Sequence, residues 1–428
     1  MEKKVIYISK PYIEKSGDRT RLCADIEWDQ QKKQLYYEVN KEFEEGLCVE
    51  RSDAFVSALI ILAMENHCDI QCGAPLSAQF FYQLDTYYMP AMERYQGVGN
   101  KISIIAELES DMCFDARGVA AGASGGVDSF YTIIRHKNTG IIGQDLTHLL
   151  FNNVCTLDNN EERIRTWYDQ KKVEIQKIAK ALNLPLIDLY TNLYSFYPYP
   201  YTSFSYFFTP MYASCVLALQ KLIRVYYQSS GVTLAEFDIM THHDNAYFDV
   251  FNLACFSTEN VIFYSTGVEK TRLEKIEYIA KEPVVQENLS VCATEVSGIG
   301  KLRDGKINCG RCTKCLRTLS ELYVIDKVQE FEPSFEIEGF INSPQKSLAQ
   351  MTCSNGREFY GEIIAGLKKQ NKIGVEYYLW RLILAPIYHM KKKLRNSKWI
   401  RKIYYALNLD VKLNGFRDQG MYENFNKE

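Results

Sequence analysis

The spacing of apolar residues changes near residue 118, where short apolar runs begin to alternate with longer segments of helical periodicity. The short runs that predict buried strands are 118–121, 149–154, 186–189 and 233–240. The periodic segments that predict helices are 161–182 and 207–227. Strands that alternate with helices indicate a parallel sheet with helices on both faces. We therefore expect an α/β domain at residues 116–328.

The first 115 residues have a different pattern, which predicts an α+β accessory region at residues 1–115. Residues 22–40 contain two apolar-rich runs around a polar connection, as in a β-hairpin. Ser52 can cap a following helix, and a further helix is expected at residues 78–95 with a break at Pro90.

Residues 329–428 predict a helical region. Helical spacing is found at residues 358–367 and 375–407, and we expect Pro386 to interrupt the second segment. The far end of that segment carries seven basic residues, which are Lys391, Lys392, Lys393, Arg395, Lys398, Arg401 and Lys402. A solvated helix face is the simpler explanation, and a docking patch for an acidic partner or RNA is the alternative.

Composition narrows the classes of function. The 428 residues carry a net charge of −3, so nothing global favours nucleic acid or an anionic membrane as a partner. No signal peptide or membrane-spanning apolar stretch is visible, and we expect a cytoplasmic protein, with a homodimer left open. In that compartment the 13 cysteines are expected to be buried thiols, metal ligands or catalytic groups rather than disulfides.

The turn after the run at 118–121 has the sequence Ser-Gly-Gly-Val-Asp-Ser at residues 124–129. Gly125 and Gly126 can adopt positive φ, so successive backbone N–H groups can face an anion at the helix N-terminus. Ser124 and Ser129 add hydroxyl donors, and Asp128 can hold a metal ion such as Mg²⁺. The candidate nucleotide-binding residues are Ala123, Ser124, Gly125, Gly126, Val127, Asp128 and Ser129.

Two other interpretations of this turn remain open. Residues 122–126 also satisfy GxSxG, the nucleophile elbow of α/β-hydrolases, with Asp244 and His389 as candidate partners of Ser124. The second is a non-catalytic nucleotide-binding scaffold. A Walker P-loop is excluded because no lysine follows Gly126.

Four cysteines have the spacing of a metal site. Cys292 is followed by Cys309, Cys312 and Cys315, so two C-x2-C steps share a central cysteine. Four thiolates suit tetrahedral Zn²⁺, and an iron–sulfur cluster is the alternative. With no open coordination position the zinc would be structural, in a knuckle at residues 290–318.

Together, the two motifs resemble a known family. The turn is similar to the PP-loop of the N-type ATP pyrophosphatases, and a PP-loop followed by these cysteines looks like the 7-cyano-7-deazaguanine (preQ0) synthase family, also called QueC-like. The resemblance covers residues 118–325. It implies a parallel-sheet adenine nucleotide alpha hydrolase (HUP/PP-loop) core that uses ATP, Mg²⁺ and Zn²⁺.

The resemblance also implies roles for particular residues. Ser124, Asp128 and Ser129 would be catalytic because the family's loop matches residues 124–129. Lys270 would also be catalytic, because it matches a family lysine near the triphosphate. Asp244, Tyr247 and Asp249 are similar to a segment that lines the family's substrate pocket. His243 joins them because strand 233–240 would end beside it, at the rim where parallel sheets bind ligands.

The implied activity is a carbon–nitrogen ligase. ATP would adenylate a carboxylate or amide of a 7-carboxy-7-deazaguanine-like substrate, and a nitrogen nucleophile would then displace AMP. Because the two flanking regions exceed what the compact family needs, conjugation of a deazaguanine to a protein partner, as thought for QueC-like proteins of bacterial antiviral defence, is an alternative. Sulfur transfer through Cys155 is another.

Overall fold

The computed structural model describes residues 4–111, 114–154, 160–197, 204–292, 306–354 and 356–395. The strands are β1 (Val5–Ile8), β2 (Tyr12–Ser16), β3 (Arg19–Trp28), β4 (Gln31–Asn40), β5 (Asp69–Cys72), β6 (Leu76–Ser77), β7 (Ile104–Ile105), β8 (Leu108–Glu109), β9 (Gly118–Gly122), β10 (His148–Asn152), β11 (Leu186–Thr191), β12 (Ile223–Ser229) and β13 (Ile262–Thr266). The helices are α1 (Asp53–Glu65), α2 (Ala78–Gln83), α3 (Met89–Ala91), α4 (Val127–His136), α5 (Glu161–Leu182), α6 (Phe204–Leu217), α7 (Asp249–Cys255), α8 (Arg272–Ile279), α9 (Pro283–Asn288), α10 (Thr313–Val324), α11 (Glu338–Asn342), α12 (Pro344–Ser354), α13 (Arg357–Lys369) and α14 (Val375–Arg395).

One large sheet of 11 strands dominates the part of the chain up to Thr271. Its strand order is β13-β12-β9-β10-β11-β4-β3-β1-β5-β7, with β2 paired to β3. The five strands from β13 to β11 are parallel, the strands from β11 to β1 pair antiparallel, and β1, β5 and β7 are parallel again. The prediction of an α/β fold with a mostly parallel sheet is therefore confirmed.

The five parallel strands do not lie side by side in chain order. Along the chain these strands are β9, β10, β11, β12 and β13. In the sheet, β10 and β11 lie on one side of β9, and β12 and β13 lie on its other side. The chain thus reverses its direction of winding between β9 and β12. Open α/β sheets bind ligands at this point, beyond the carboxyl ends of the strands. The first four residues of β9 are buried, as expected of a parallel strand covered on both faces.

The N-terminal strands belong to this same sheet. In the register of β4 and β11, Glu38 lies opposite Tyr190. Arg19 Nη1 on β3 lies 2.7 Å from Asp188 Oδ1 on β11, so an ion pair also joins the two segments. One cluster of buried apolar side chains includes residues of both segments. Residues on either side of the predicted boundary at 115 therefore share one sheet and one core.

Two predicted elements between residues 207 and 240 are wrong. The helix predicted at 207–227 ends at Leu217, and β12 occupies Ile223–Ser229. The β-branched and aromatic residues of β12 fit a buried strand, although their apolar run continues that of the helix. The strand predicted at 233–240 is a loop with one 3₁₀ turn, Leu234–Glu236, closed by a capping box between Thr233 and Glu236.

Neither predicted proline break is present in the described residues. The chain is helical from Ala78 to Gln96, and Pro90 lies in the first turn of α3, directly after a π-helical segment, where its missing N–H costs little. Helix α14 likewise continues through Pro386, which is exposed. The predicted extension of this helix to residue 407 lies outside the described residues.

A second compact unit comprises Gly125–Phe130 and the described residues from Arg272 onward. Its buried residues include aromatic side chains of α11 and of the loop that precedes α11. They also include apolar side chains of α10, α12 and α14. The prediction of C-terminal helices is confirmed. Among the described residues, no helix combines the length and the hydropathy required to cross a bilayer.

Candidate active site and metal centre

The predicted phosphate-binding turn connects β9 to α4. The N–H of Ala123 donates to Leu150 O at 2.8 Å, which fixes the start of the turn beside β10. Gly125 has φ +76°, a conformation that residues other than glycine rarely adopt. Its carbonyl accepts a hydrogen bond from the N–H of Ser290 at 2.8 Å. Gly126 O accepts from Phe130 N at 2.9 Å and so closes the first helical turn. The turn thus follows the strand at which the sheet reverses its winding.

The hydroxyl and carboxylate groups of this segment differ in exposure. Ser124 is exposed, whereas Ser129 is buried and Asp128 is half-buried. The first N–H groups of any helix lack a partner within that helix, and the helix dipole adds positive potential there. The beginning of α4 therefore has the general properties of an anion site.

Asp128 is paired with two cations that sequence analysis did not identify. Lys275 Nζ lies 3.0 Å from Asp128 Oδ1, and Arg272 Nη1 lies 3.5 Å from Oδ2. Lys275 is only 1% exposed, so its ammonium group needs this carboxylate as a partner. Both cations come from one face of α8, and their i, i+3 spacing was the available signal in the sequence.

The ionic cluster continues onto α10. Glu321 Oε1 lies 3.1 Å from Arg272 Nε and 3.4 Å from Arg317 Nε. Burial, followed by repulsion from Arg272, lowers the pKa of Arg317 to about 10. Within this cluster of described residues, three cations thus face the two carboxylates of Glu321 and Asp128, so the cluster itself has one positive charge in excess. Such an excess favours a bound anion.

Lys270, the other predicted catalytic residue, lies in the connection between β13 and α8. Its N–H donates to Gly267 O at 3.4 Å, and its side chain is half-buried. The neighbouring Glu269 accepts a hydrogen bond from Tyr131 Oη at 2.6 Å. The proposed contact of Lys270 with a triphosphate stays a prediction.

The four predicted substrate residues lie in and after a loop that precedes α7. Because the strand predicted at 233–240 is absent, His243 and Asp244 do not follow a strand end as expected. Asp244 accepts from Ala246 N at 3.0 Å, and the rings of His242 and Tyr247 stack with centroids 3.7 Å apart. These contacts give the loop a defined local conformation.

Two residues from distant parts of the sequence join this loop. Gln96 Oε1 lies 3.2 Å from His243 Nδ1, and Tyr206 packs edge-on against the same ring, with centroids 6.3 Å apart. The sequence does not indicate that Gln96 or Tyr206 belongs to this site. Gln96 ends the helical segment that begins at Ala78, Tyr206 lies in α6, and both meet the loop only in the folded chain.

Asp249 is the most strongly perturbed carboxyl of this group. Burial, with a smaller contribution from the charge of Asp244, raises the pKa of Asp249 to about 7, although a hydrogen bond with Thr209 Oγ1 opposes the shift. Burial also raises the pKa of Asp244. A carboxyl that titrates near neutral pH can give or accept a proton in a reaction.

The four predicted metal ligands lie together in the second unit. The Sγ atoms of Cys292, Cys309, Cys312 and Cys315 all lie within 4.8 Å of one another. Two of the Sγ pairs, Cys292 with Cys312 and Cys309 with Cys315, are each separated by 4.0 Å. Tetrahedral Zn–S bonds of about 2.3 Å require sulfur separations of about 3.8 Å. The cluster is therefore consistent with a four-cysteine zinc site.

The local chain geometry explains how the second, third and fourth cysteines converge. Gly310 has φ +64°, and a Cβ there would lie 1.8 Å from Glu336 O, so only glycine fits. The N–H of Cys312 donates to Cys309 Sγ at 3.4 Å. Cys312 then caps α10, since its Sγ accepts from Cys315 N at 3.4 Å.

Asn308 holds the distant Cys292 against this knuckle. Its Oδ1 accepts from the N–H of Val291 at 2.8 Å and from that of Cys292 at 3.1 Å. Its Nδ2 donates to Leu289 O at 2.6 Å and to Ser334 O at 3.0 Å. The buried amide therefore uses all four of its hydrogen-bonding positions. The sequence does not point to Asn308, because asparagine is also common in turns.

The thiols strongly perturb one another. Hydrogen bonds from the other three cysteines lower the pKa of Cys309, and hydrogen bonds with Cys292 and Cys309 raise the pKa of Cys312 and Cys315. Four thiolates at this spacing repel one another, and a divalent cation bound between them would offset that repulsion.

The hydrolase and sulfur-transfer alternatives each depend on one further residue. His389, the candidate hydrolase partner, lies on α14 and is exposed. Cys155, the candidate sulfur carrier, lies outside the described residues.

Comparison with known proteins gave no matching family model, no similar curated protein and no similar solved structure. Function is therefore inferred from the chemistry of the two sites.

Proposed function

We propose that this protein is a QueC-like ATP-dependent ligase, with a HUP/PP-loop core, that forms AMP and pyrophosphate. The observation that carries the proposal is the position of the Ser-Gly-Gly-Val-Asp-Ser turn. It follows β9, the strand from which the parallel sheet extends in both directions, and it opens α4. In open α/β sheets this is where a phosphate group meets a helix N-terminus.

The charge distribution supports an anionic ligand at the turn. Arg272, Lys275 and Arg317 outnumber the carboxylates Asp128 and Glu321 beside the first turn of α4. A departing pyrophosphate carries several negative charges, and fixed cations stabilise charge that develops during phosphoryl transfer. The positive charge of this cluster therefore supports the proposal that a pyrophosphate leaving group binds beside the turn.

In the proposed first step, a substrate carboxylate oxygen attacks the α-phosphorus of ATP. The bond from that phosphorus to the bridging oxygen breaks, and the electron pair leaves with pyrophosphate. Ser124, Ser129, Lys270 and the N–H groups of the turn bind the phosphates. Mg²⁺ would neutralise part of the phosphate charge, and Asp128 is its candidate ligand. Binding of the ion by Asp128 would require one of its ion pairs with Lys275 and Arg272 to open.

In the second step, a nitrogen nucleophile attacks the acyl carbon, and the acyl–oxygen bond to AMP breaks. The nucleophile loses a proton, which a base with a near-neutral pKa could accept. Asp249 has such a pKa, about 7, and lies with His243, Asp244 and Tyr247 in the proposed substrate site. A 7-carboxy-7-deazaguanine-like acid is the proposed substrate, and the zinc would be structural.

The experiment measures the products of ATP labelled at the α- or the γ-phosphate, with 7-carboxy-7-deazaguanine and ammonium as the probe substrates. We expect labelled AMP and labelled pyrophosphate. Ser124→Ala and Asp128→Asn should each lower the rate by at least about 100-fold, whereas Ser16→Ala, at an exposed site, should not. Formation of ADP, or equal turnover in all four proteins, would remove the proposal.

Mass spectrometry of the same reactions identifies the acceptor. AMP together with an amide or nitrile of the small base supports ammonia as the nucleophile. AMP together with a polypeptide that has gained the mass of the base supports conjugation to a protein. Labelling of Ser124 by a fluorophosphonate would instead support the hydrolase alternative and contradict the ligase.

A further inference from the structure

The phosphate-binding turn, from Gly125 onward, and the four cysteines belong to the same compact unit. The two sites are connected through the backbone of Ser290, whose N–H donates to Gly125 O at 2.8 Å. Only two residues further along the chain, Cys292 supplies the first thiol of the cluster. The segment that carries a metal ligand is therefore hydrogen-bonded directly to the turn.

Asn308 holds both neighbours of Ser290 in place. Its Nδ2 donates to Leu289 O at 2.6 Å, and its Oδ1 accepts from the N–H of Val291 at 2.8 Å. Asn308 itself directly precedes Cys309, the second thiol of the cluster. The position of the Ser290 N–H thus depends on the same chain segments that bring the cysteines together.

The hydrogen bond from Ser290 determines the direction of an N–H group in the turn. A trans peptide group is planar, and its C=O and N–H point in opposite directions. Because the carbonyl of Gly125 points to Ser290, the N–H of Gly126 points to the other side. Rotation of this peptide plane is easy between two glycines, so its orientation needs an external contact. Gly126 is one of the candidate nucleotide-binding residues.

Helix α10 makes a second connection between the two sites. Cys315 lies in its first turn, and the buried Thr318 and Glu321 follow on the same helix. Thr318 Oγ1 accepts from Arg272 Nη2 at 3.2 Å, and Glu321 Oε1 lies 3.1 Å from Arg272 Nε. Arg272 Nη1 in turn lies 3.5 Å from Asp128 Oδ2. The start of α10 therefore influences the carboxylate of the turn through Arg272.

We propose that the four-cysteine cluster positions the phosphate-binding turn, so that metal binding at the cysteines and anion binding at the turn strengthen each other. Bonds from one metal ion to all four sulfurs would join the segment of Ser290 to the start of α10. Both contacts with the turn, at Gly125 and at Asp128, would then be fixed together. The proposal rests on the anion site of the proposed function and adds a coupling between the two sites.

Thermodynamic linkage makes this coupling measurable from either side. If the metal raises the affinity of the turn for an anion, the anion raises the affinity of the cysteines for the metal by the same factor. Coupling between two sites of one protein is typically about 5- to 150-fold. A zinc site that only keeps the chain folded would also couple to the anion, but without any dependence on the Ser290 N–H.

The test measures the zinc affinity of the full-length protein by competition with a fluorescent chelator, with and without inorganic pyrophosphate. The chelator reports the free zinc concentration, so zinc that pyrophosphate itself binds does not enter the result. We expect pyrophosphate to raise the zinc affinity at least about fivefold. Calorimetry with metal-free and zinc-loaded protein should give the same factor for the affinity of pyrophosphate.

Ser290→Pro and Ser290→Ala are the matched variants. Proline removes the N–H that donates to Gly125 O, whereas alanine retains it. The preceding residue, Leu289, has ψ 121°, which is compatible with a following proline. We expect Ser290→Pro to retain zinc, to lose most of the coupling and to bind pyrophosphate at least about fivefold more weakly. Ser290→Ala should behave as the wild type does.

Thr318→Val tests the second connection, because it removes the hydroxyl that contacts Arg272, and Thr318→Ser is its control. Thr318→Val should lower the coupling factor, and Thr318→Ser should retain it. If the wild type binds pyrophosphate with no change in zinc affinity, the coupling is wrong and the ligase proposal still stands. If the wild type does not bind pyrophosphate, both proposals are wrong. A coupling factor that is unchanged in both Ser290→Pro and Thr318→Val would overturn the positioning role.

Discussion

Lys275 Nζ lies 3.0 Å from Asp128 Oδ1, so the buried ammonium group of α8 is paired with a carboxylate in the first turn of α4. This contact joins two parts of the second unit that are far apart in the sequence. Because Lys275 is almost fully buried, the pair differs from the exposed ion pairs that contribute little to stability.

We expect Lys275→Met to lower the free energy of unfolding by about 2 kcal/mol, because Asp128 loses its closest cation. A double-mutant cycle with Asp128→Asn should give a coupling energy of about 1 to 2 kcal/mol in urea unfolding. The control cycle uses Lys372 and Asp326, whose atoms lie 2.7 Å apart but whose carboxylate is 76% exposed. Its coupling should stay below about 1 kcal/mol. The prediction would be contradicted if the effects of Lys275→Met and Asp128→Asn on the free energy of unfolding were strictly additive.

The purified protein should contain about one zinc ion per chain. Cys312→Ser should abolish zinc binding and lower the thermal midpoint by several degrees, because metal affinity contributes directly to folding. Cys353→Ser, in the same unit but outside the cluster, should retain the metal. The measurement is metal analysis by mass spectrometry together with calorimetry. Iron in place of zinc would indicate a cluster of another kind.

Asn308→Ala should weaken zinc binding by about 10- to 100-fold although it removes no ligand. Without the amide, the N–H groups of Val291 and Cys292 lose their common acceptor, and the first ligand is no longer positioned. We also expect a loss of about 2 to 3 kcal/mol of stability from the unpaired buried groups. Competition with a fluorescent chelator measures the affinity. Asn342→Ala, at an exposed asparagine, is the control, and equal affinities in the two variants would exclude the positioning role.

Asp249 should make stability depend on pH. Its pKa is raised to about 7 in the folded chain, against about 3.9 when unfolded, so the folded state binds the proton more tightly. The favourable contribution is present below about pH 4 and is lost as the pH rises to about 7, by an amount of about 2 to 4 kcal/mol. Urea unfolding across this window should show that decline in the wild type.

Asp249→Asn should remove that part of the pH dependence, since an amide does not titrate. Asp238→Asn serves as the comparison, because hydrogen bonds with Thr241 lower the pKa of this half-buried carboxyl. That variant should keep the wild-type decline between pH 4 and 7. Curves that coincide for the wild type and Asp249→Asn would show that Asp249 titrates normally.

Elements with strong local patterns were predictable. Helix α5 occupies residues 161–182 as expected, and the hairpin of β3 and β4 closes through Asp29 and Gln30, both at positive φ. In contrast, only Gln220 and Lys221 interrupt the apolar run between α6 and β12, and two polar residues also fit one face of a single continuous helix. Its division depends on the place that β12 takes between β9 and β13.

By itself, the sequence determined the cysteine cluster, the glycine turn and the alternation of strands and helices, because each depends on spacing within a short stretch of chain. The tertiary structure alone decided that the N-terminal strands extend the same sheet and that Asn308 positions Cys292. It also decided that Arg272, Lys275 and Arg317 gather around two carboxylates. These features arise from pairing between segments distant in the sequence, and the residue pattern within one segment does not show which other segment it contacts.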